Sequence, residues 1–559
     1  MSRIKGPLSS RSKNRAYIAF IIGAIVYALL IYRLVDIQII KGEEYTNKQL
    51  SQGSEKVDLN SGRGIIYDRN NKPLTDTEKS KVLIIQSEKL SEGYKTMNLI
   101  KEATKLEYTD IAKMIEEQMP SSSILIETGY IDNAMKEELE ENEIIIEEKT
   151  SRYSENGLLS HTIGHLKKSD SSGQMGIEKS MDSILKDSNE QYVSAFKAGD
   201  SGNRENLNIL KGSITTVKEK ENDRHIRLTI DSSIQKKVEE VVDKEENPTA
   251  VVISDVDTGE VLSISSRPNF DPNNIYEETI RSQNEKSSIF LNRATNVTYP
   301  PGSVFKIVVL YAAFENRVIG NDYTYNCTGK TLVGNDEYLK CHKLDGHGLE
   351  TLEQAFANSC NTAFYDIANK VGEEKILEAA KALHVSDKID IGIDEERSAK
   401  IPDNIEIRNL AIGQGGIEFT PLQINQLTQI VANNGTYKPL YIYDSIIDND
   451  KNIIKPFKVS KDEEIISPYS ITRIKEMMKS VSKEGTAKEL SDLPGKCGVK
   501  TGTAQSSLNG VEIAHGWITG FYPAENPKYA ITVLVEGTDA GNKSAIPIFK
   551  EICEKINKK

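Results

Sequence analysis

Tyr299-Pro300-Pro301-Gly302-Ser303-Val304-Phe305-Lys306 is the stretch on which the reading of the fold turns. Pro-Pro-Gly breaks any preceding element, and serine is favoured where a helix starts. The residues that follow, through Phe314, are apolar on nearly every side, so the expected helix is buried and central. Ser303 and Lys306 stand three apart and share one face of such a helix. A serine hydroxyl is a poor nucleophile until a base takes its proton, and a lysine desolvated beside an apolar helix is neutral enough to serve. The helix N-terminus adds backbone N–H groups for a developing oxyanion. Alone, this spacing fits an ordinary capped core helix equally well.

Two further stretches raise the chemistry above that reading. Ser359-Cys360-Asn361 is the second, and Lys500-Thr501-Gly502-Thr503 the third. Cys497 to Gln505 reads as a strand on which Lys500 and Gly502 share a face. Glycine there removes the side chain that would block a substrate along the strand, and Lys500 with the Thr501 and Thr503 hydroxyls could hold a carboxylate. Outward from these motifs, Ala250 to Ser265 alternates as two strands around Asp257-Thr258-Gly259, a hairpin signal. Helical signals dominate from Ser303 to Gly372 and recur at Lys375 to Leu383 and Pro421 to Asn433. Strand signals return at Gly516 to Tyr522 and Tyr529 to Gly537, and a last helix is expected near Ile546 to Ile556. Strands at both ends with helices between predict an α+β domain, one mainly antiparallel sheet flanked by helices.

A chain of 559 residues exceeds one ordinary core. With 83 acidic against 70 basic residues its net charge is −13, which lacks the positive field a nucleic-acid partner requires. Ala16 to Tyr32 holds no charge and no proline, and basic residues (Arg11, Lys13, Arg15) precede it while Asp36, Glu43 and Glu44 follow. These flanks predict an uncleaved single-pass anchor with the short N-terminus cytoplasmic and the remainder outside. A cleaved signal peptide is the alternative, opposed by the length of the run and by the lack of a clean small-x-small site. Residues 34–224 are charged and interrupted, with a helix-like acidic stretch from Met135 to Glu148 and a polar tract from Lys197 to Glu205.

The three motifs in order, S-x-x-K, S-x-N and K-T-G, resemble the active-site set of penicillin-binding proteins and serine β-lactamases. Further stretches are similar to class B penicillin-binding proteins: Arg63-Gly64-Ile65-Ile66-Tyr67-Asp68-Arg69-Asn70, Gly176-Ile177-Glu178, Leu228-Thr229-Ile230-Asp231, Gly413-Gln414-Gly415 and Thr420-Pro421-Leu422-Gln423. The resemblance implies a cytoplasmic tail (1–15), a transmembrane anchor (16–33), an extended pedestal of the dimerisation type (34–224) and a β-lactamase-like transpeptidase domain (225–559). It implies a serine D,D-transpeptidase that cross-links peptidoglycan stem peptides ending in D-Ala-D-Ala, is acylated by β-lactams, works at the membrane with a glycan polymerase and needs no cofactor for catalysis. Ser303 would attack, Lys306 act as base, Ser359 relay a proton to the leaving amine and Asn361 position the substrate amide. Ser303 and Thr503 N–H groups would form the oxyanion hole, and Lys500, Thr501 and Thr503 would receive the carboxylate, with Gly502 beside them. The rivals are a D,D-carboxypeptidase or β-lactamase of the same fold, and a non-enzymatic β-lactam sensor or wall-precursor scaffold. The single span and the presence of both lysines oppose the last two.

Between the first two motifs lie Cys327, Cys341, His342, His347 and Cys360. A Cys327–Cys341 disulfide, plain buried thiols, and a structural zinc site drawing on these groups or on Asp345 stay open at this level. The remaining histidines, His161, His165, His225, His384 and His515, read as packing or surface residues.

Overall fold

The computed structural model describes residues 10–35, 54–90, 93–119, 123–168, 170–186, 190–197, 209–219, 223–320, 322–333, 337–457, 463–464, 467–508, 511–538 and 541–558. Residues 198–205 of the polar tract lie outside them. The chain divides into two compact units. The first gathers residues 1–60, 80–149 and 190–219. In it, the strand Glu78–Gln86 pairs antiparallel with Ser123–Thr128 and is flanked on its other side by Ile145–Ser151. Leu83, Ile85, Ile124 and Ile126 bury one face of this sheet with Leu99 and Ile100 of the helix Tyr94–Thr104. The helix-like stretch from Met135 is helical only within Asn133–Glu141. Glu143 then turns through φ 60°, and the β-branched run Ile144-Ile145-Ile146 leads into strand rather than more helix.

The second unit gathers 61–79, 150–189 and 220–559. Two segments from the first half of the chain therefore belong with the C-terminal part. A buried charge network ties the two segments to each other: Glu178, fully enclosed, accepts from Arg63 Nε at 2.9 Å and Arg152 Nε at 2.7 Å. Arg63 reaches Asp182 at 2.7 Å and Arg152 reaches Asp76 at 2.5 Å. Such charges are tolerable away from water only because each is paired.

The core of this unit is a five-stranded antiparallel sheet of Thr249–Asp255 (β1), Val261–Ser266 (β2), Gly498–Leu508 (β3), Val511–Tyr522 (β4) and Tyr529–Val535 (β5), in the order β2-β1-β5-β4-β3. The strands and hairpin expected at both ends of the domain are all in this sheet. Around it pack Ser232–Val242 (α1), Lys306–Glu315 (α2), Asn361–Val371 (α3), Pro421–Ala432 (α4), Pro468–Glu484 (α5) and Asn542–Asn557 (α6). Thr519 of β4 meets Thr428 of α4, whereas Gly516, three residues earlier and so on the other face, abuts Gly541 before α6. Every residue of α4 is buried, and its polar groups are spent on the sheet: Asn425 donates to the Val252 and Ala530 carbonyls, Gln429 to that of Val256.

The helical signal between Ser303 and Gly372 is interrupted. Thr324–Cys327 pairs with Gly348–Thr351, and Lys330–Leu332 with Tyr338–Lys340. Gly329, Gly346 and Gly348, all at positive φ, break the helix pattern and permit these short hairpins. Near the N-terminus, Ser10–Val35 is one helix whose described side chains, from Phe20 to Val35, are exposed. Among the described residues no helix is long and apolar enough to cross a membrane; the side chains of Ala16 to Ala19, the start of the expected anchor, lie outside that set.

Candidate active site

Gly302–Phe305 forms a single 3-10 turn, and α2 begins only at Lys306. Pro301, not Ser303, occupies the capping position, and no side-chain capping bond forms. The Ser303 hydroxyl is thus not consumed as a helix cap, contrary to the simplest sequence expectation. From Lys306 to Phe314 every side chain of α2 is buried. Each such aliphatic group contributes roughly 1.5–3 kcal/mol, which together offsets the cost of sealing one amine beneath them.

Ser303, Ser359, Asn361, Thr501, Gly502 and Thr503 line one pocket of about 210 Å³. Lys306 and Lys500 lie behind its wall, both fully buried. Lys306 Nζ donates to the Ser359 carbonyl at 2.7 Å, to Ser359 Oγ at 3.2 Å and to Asn361 Oδ1 at 2.8 Å. Lys500 Nζ reaches the same Ser359 Oγ at 3.0 Å and the Thr501 carbonyl at 3.0 Å. Lys500 therefore faces Ser359 rather than lining the pocket, which differs from the open carboxylate clamp expected of it; Thr501 and Thr503 do line it. Burial pushes Lys306 down to about 7, only partly opposed by the nearby thiols of Cys360 and Cys341. Burial, and then the neighbouring Lys306, drives Lys500 well below the ordinary lysine value. Phe364 and Phe356 form apolar walls against the two amines, 5.2 and 5.4 Å from Nζ to ring centre.

The backbone explains why glycines and one left-handed serine stand here. A Cβ on Gly302, at φ 55°, would come within 2.6 Å of the Thr503 carbonyl, and one on Gly502 within 2.8 Å of the Pro301 carbonyl. Turn and strand therefore approach backbone to backbone. Ser359 sits at φ 55°, the turn between Leu352–Ala357 and α3. Three pocket residues carried no motif signal: His342, Thr486 and Asn542. Thr486 shares a hydroxyl hydrogen bond with Thr501 at 2.6 Å, and the Asn542 N–H donates to Thr503 Oγ1 at 3.1 Å. A larger cleft of about 590 Å³, lined by Lys72, Glu78 and Glu239 among others, holds no motif residue.

Beside the second motif, Cys327, Cys341, His347 and Cys360 bring three sulfurs and one imidazole nitrogen within 4.8 Å of one another. All five cysteines are free thiols, so the Cys327–Cys341 disulfide alternative is not formed. His342 and Asp345 stand outside the four; the His342 ring lies 5.1 Å from that of His347. The donor set, three thiols and one imidazole converging from buried or half-buried positions, has the composition of a tetrahedral zinc site. Glu350 adds a buried oxygen with no hydrogen-bond partner, 3.7 Å from His347 Nδ1. His161, His225 and His515 are buried packing residues.

A pocket serine backed by two buried lysines that converge on a second serine is the equipment of a serine acyl-transferase. Comparison with known proteins places it. The family model for the penicillin binding protein transpeptidase domain matches residues 249–554, and that for the penicillin-binding protein dimerisation domain matches 58–213. Stage V sporulation protein D of Bacillus subtilis is 26% identical, over 97% of this chain and 85% of that protein. The peptidoglycan D,D-transpeptidase MrdA of Escherichia coli K12 is 26% identical, over 94% of this chain and 92% of that protein. Among solved structures, PBP2 of Helicobacter pylori superposes with a TM-score of 0.66 at 24% identity, covering 90% of this chain and 99% of that one. A chain of a peptidoglycan synthase complex gives 0.70 at 22% identity, with 97% and 98% covered. The chain belongs to the penicillin-binding protein transpeptidases, with the class B order of dimerisation module then catalytic domain, and is a serine D,D-transpeptidase of cell-wall cross-linking.

Proposed function

We propose that Ser303 is the nucleophile of this transpeptidase, and that the observation carrying the assignment is the chain Lys306–Ser359–Lys500 of hydrogen-bonded groups behind it. Ser303 Oγ attacks the carbonyl carbon between the two terminal D-alanines of a stem peptide while Lys306, held partly neutral, takes its proton. The N–H groups of Ser303 and Thr503 bear the oxyanion. As the intermediate collapses, Ser359 passes a proton to the departing amine, and terminal D-alanine leaves. Lys306 and Lys500 both reach Ser359 Oγ and can supply that proton. Asn361 accepts from Lys306 through Oδ1, which leaves its amide N–H groups for the substrate backbone. Thr501 and Thr503 hold the carboxylate, while Lys500 behind the wall donates to Ser359 Oγ and to the Thr501 carbonyl. An amine of a neighbouring stem then attacks the Ser303 ester, which restores the serine and completes the cross-link. β-Lactams enter the same path and stop at the ester.

Ser303→Ala should abolish covalent labelling by a fluorescent penicillin while the wild type labels one-to-one. Labelling that persists in Ser303→Ala refutes the assignment. Incubation of the wild type with a stem-peptide donor and an amine acceptor should give transfer product; hydrolysis alone would indicate the carboxypeptidase alternative.

The organisation we infer is a tail (1–15), an anchor (16–33), a pedestal (34–224) and a catalytic domain (225–559). The family matches at 58–213 and 249–554 fall inside the last two. Exposed apolar side chains along Ser10–Val35, such as Phe20, Tyr27 and Leu30, support a membrane anchor, and the basic Arg11, Lys13 and Arg15 before the apolar run support a catalytic domain outside. The solved Helicobacter pylori PBP2 in complex with MreC, and the similar chain within a peptidoglycan synthase complex, support assembly with partner proteins that include a glycan polymerase.

Cys327, Cys341, His347 and Cys360 would hold a structural zinc ion, whose contribution is to brace the loop of the second motif. Cys360 lies between Ser359 and Asn361, so anchoring its sulfur fixes both neighbours. Protein prepared without added zinc should carry about one equivalent by elemental analysis. A metal-free preparation with unchanged melting temperature would end this reading.

A further inference from the structure

The Pro300-Pro301 pair leaves the nucleophile turn short of donors, because neither residue has an N–H. Its register against β3 must then be fixed largely through carbonyls. Trp517, fully buried on β4, donates from Nε1 to the Pro300 carbonyl at 2.9 Å. In the sheet, Trp517 is the direct partner of Gly502. Cross-strand partners point to the same face, so the indole rises beside the place that Gly502 leaves empty for the Pro301 carbonyl.

The indole is itself held. Tyr299 meets it edge-on, with ring centres 6.2 Å apart, and packs against His515 at 5.1 Å. The Tyr299 hydroxyl donates to Glu536 at 3.0 Å, and Glu536 is paired with Arg293 at 2.6 Å. The Tyr299 main chain is bridged in both directions to Phe419 at 2.9 Å. Behind the turn, the Gly302 N–H donates to the Gly413 carbonyl at 3.0 Å. Trp517 thus joins the segment just before Ser303 to the strand just before Thr503.

We propose that Trp517 is a positioning residue for acylation: its indole N–H sets the turn so that the Ser303 and Thr503 N–H groups converge on one oxyanion. This rests on the oxyanion hole assigned above. Trp517 is not among the residues lining the pocket, and it acts on the turn through its hydrogen bond to the Pro300 carbonyl. Losing that bond frees the turn to shift, and displacements near 1 Å at a reacting centre cost on the order of a hundredfold in rate.

The test uses the full chain in detergent, with a fluorescent penicillin followed by stopped flow to separate the encounter dissociation constant from the first-order acylation constant. Trp517→Phe removes the donor and some volume. Trp517→β-(3-benzothienyl)alanine, introduced by codon suppression, removes the donor and keeps the shape. In both, the acylation constant of the burst-titrated enzyme should fall by about ten- to a hundredfold. The encounter constant should stay within about threefold, and the pH midpoint of acylation should not move, because Lys306 is untouched. A benzothienyl variant that acylates at the wild-type rate overturns the proposal, as does a loss confined to the encounter constant. Failure of the parent reading looks different: Ser303→Ala would still be labelled, whatever Trp517 does.

Discussion

With its amine sealed under α2 and bonded to Ser359 and Asn361, Lys306 is pushed down by burial to about 7, so near neutral pH much of the enzyme holds it as a free base. The acylation rate should therefore rise with pH through a midpoint near 7 and level off above it, as measured by penicillin capture under second-order conditions. Lys306→Arg cannot lose its proton, and its rate should fall by about a thousandfold or more with that midpoint gone. The same shift bears on stability, and its sign follows from proton counting. Above about 7 the folded chain gives up a proton that the unfolded chain keeps up to the ordinary lysine value of about 10.4. The unfolded state thus binds more protons in that window, and stability increases across it as pH rises. Lys306→Met should melt above the wild type at pH 7, with the gap narrowing toward pH 10. The residue pair became legible only when all three motifs were read together, and the burial of Lys306 followed from the apolar run after it. Where Lys500 points was not legible, because a strand pattern gives a face but not the partner on which the side chain lands. Thr486 and Asn542 were equally hidden, since single polar residues at loop and helix ends carry no period, and His342 stood out only as a candidate metal ligand, not as a lining residue.

The elements of the sheet were readable because β1, β2, β4 and β5 are β-branched runs bounded by turn residues. The two hairpins between α2 and Leu352–Ala357 were not, since strands of three or four residues give no alternation to count and are set by their glycines. The Gly413-Gln414-Gly415 stretch was visible as a motif, but its purpose depends on a contact with the turn at Gly302, far away in sequence. Gly413 stands at φ 70°, and a Cβ there would meet the Gly302 carbonyl oxygen at 2.0 Å and the Phe305 Cβ at 2.9 Å. Gly413→Ala should lower penicillin acylation by about a hundredfold through displacement of the nucleophile turn. Gly416→Ala is the control: it shares the positive φ but meets only a Pro402 side-chain carbon at 3.2 Å, so its acylation constant should stay within about threefold. Equal losses in the two variants would show that backbone strain, rather than crowding of the turn, is responsible.

At the scale of the molecule, the sequence resemblance placed residues 61–79 and 150–189 in an N-terminal module, whereas their contacts join them to the catalytic unit. No composition shift marks this, because the ties are scattered single contacts: Ile66 pairs with Ile226, Ser232 Oγ donates to Asp68 at 2.6 Å and the Leu159 N–H donates to Glu239 at 3.0 Å. Glu178→Gln leaves Arg63 and Arg152 without their shared carboxylate, and should destabilise this unit by about 3–5 kcal/mol in denaturant titration. Penicillin acylation of the protein that remains folded should stay within about twofold of wild type. Sheet order carries one more consequence, for the chronology of synthesis. Strand β1 lies between β2 and β5, and β5 starts only at Tyr529, long after β2 ends at Ser266. As the polypeptide emerges, β1 and β2 can form only a lone hairpin, which is marginal in water, until β5 arrives. The nascent catalytic unit must therefore stay unassembled, with an apolar strand edge open to chaperone or to misfolding, until β5 has been made.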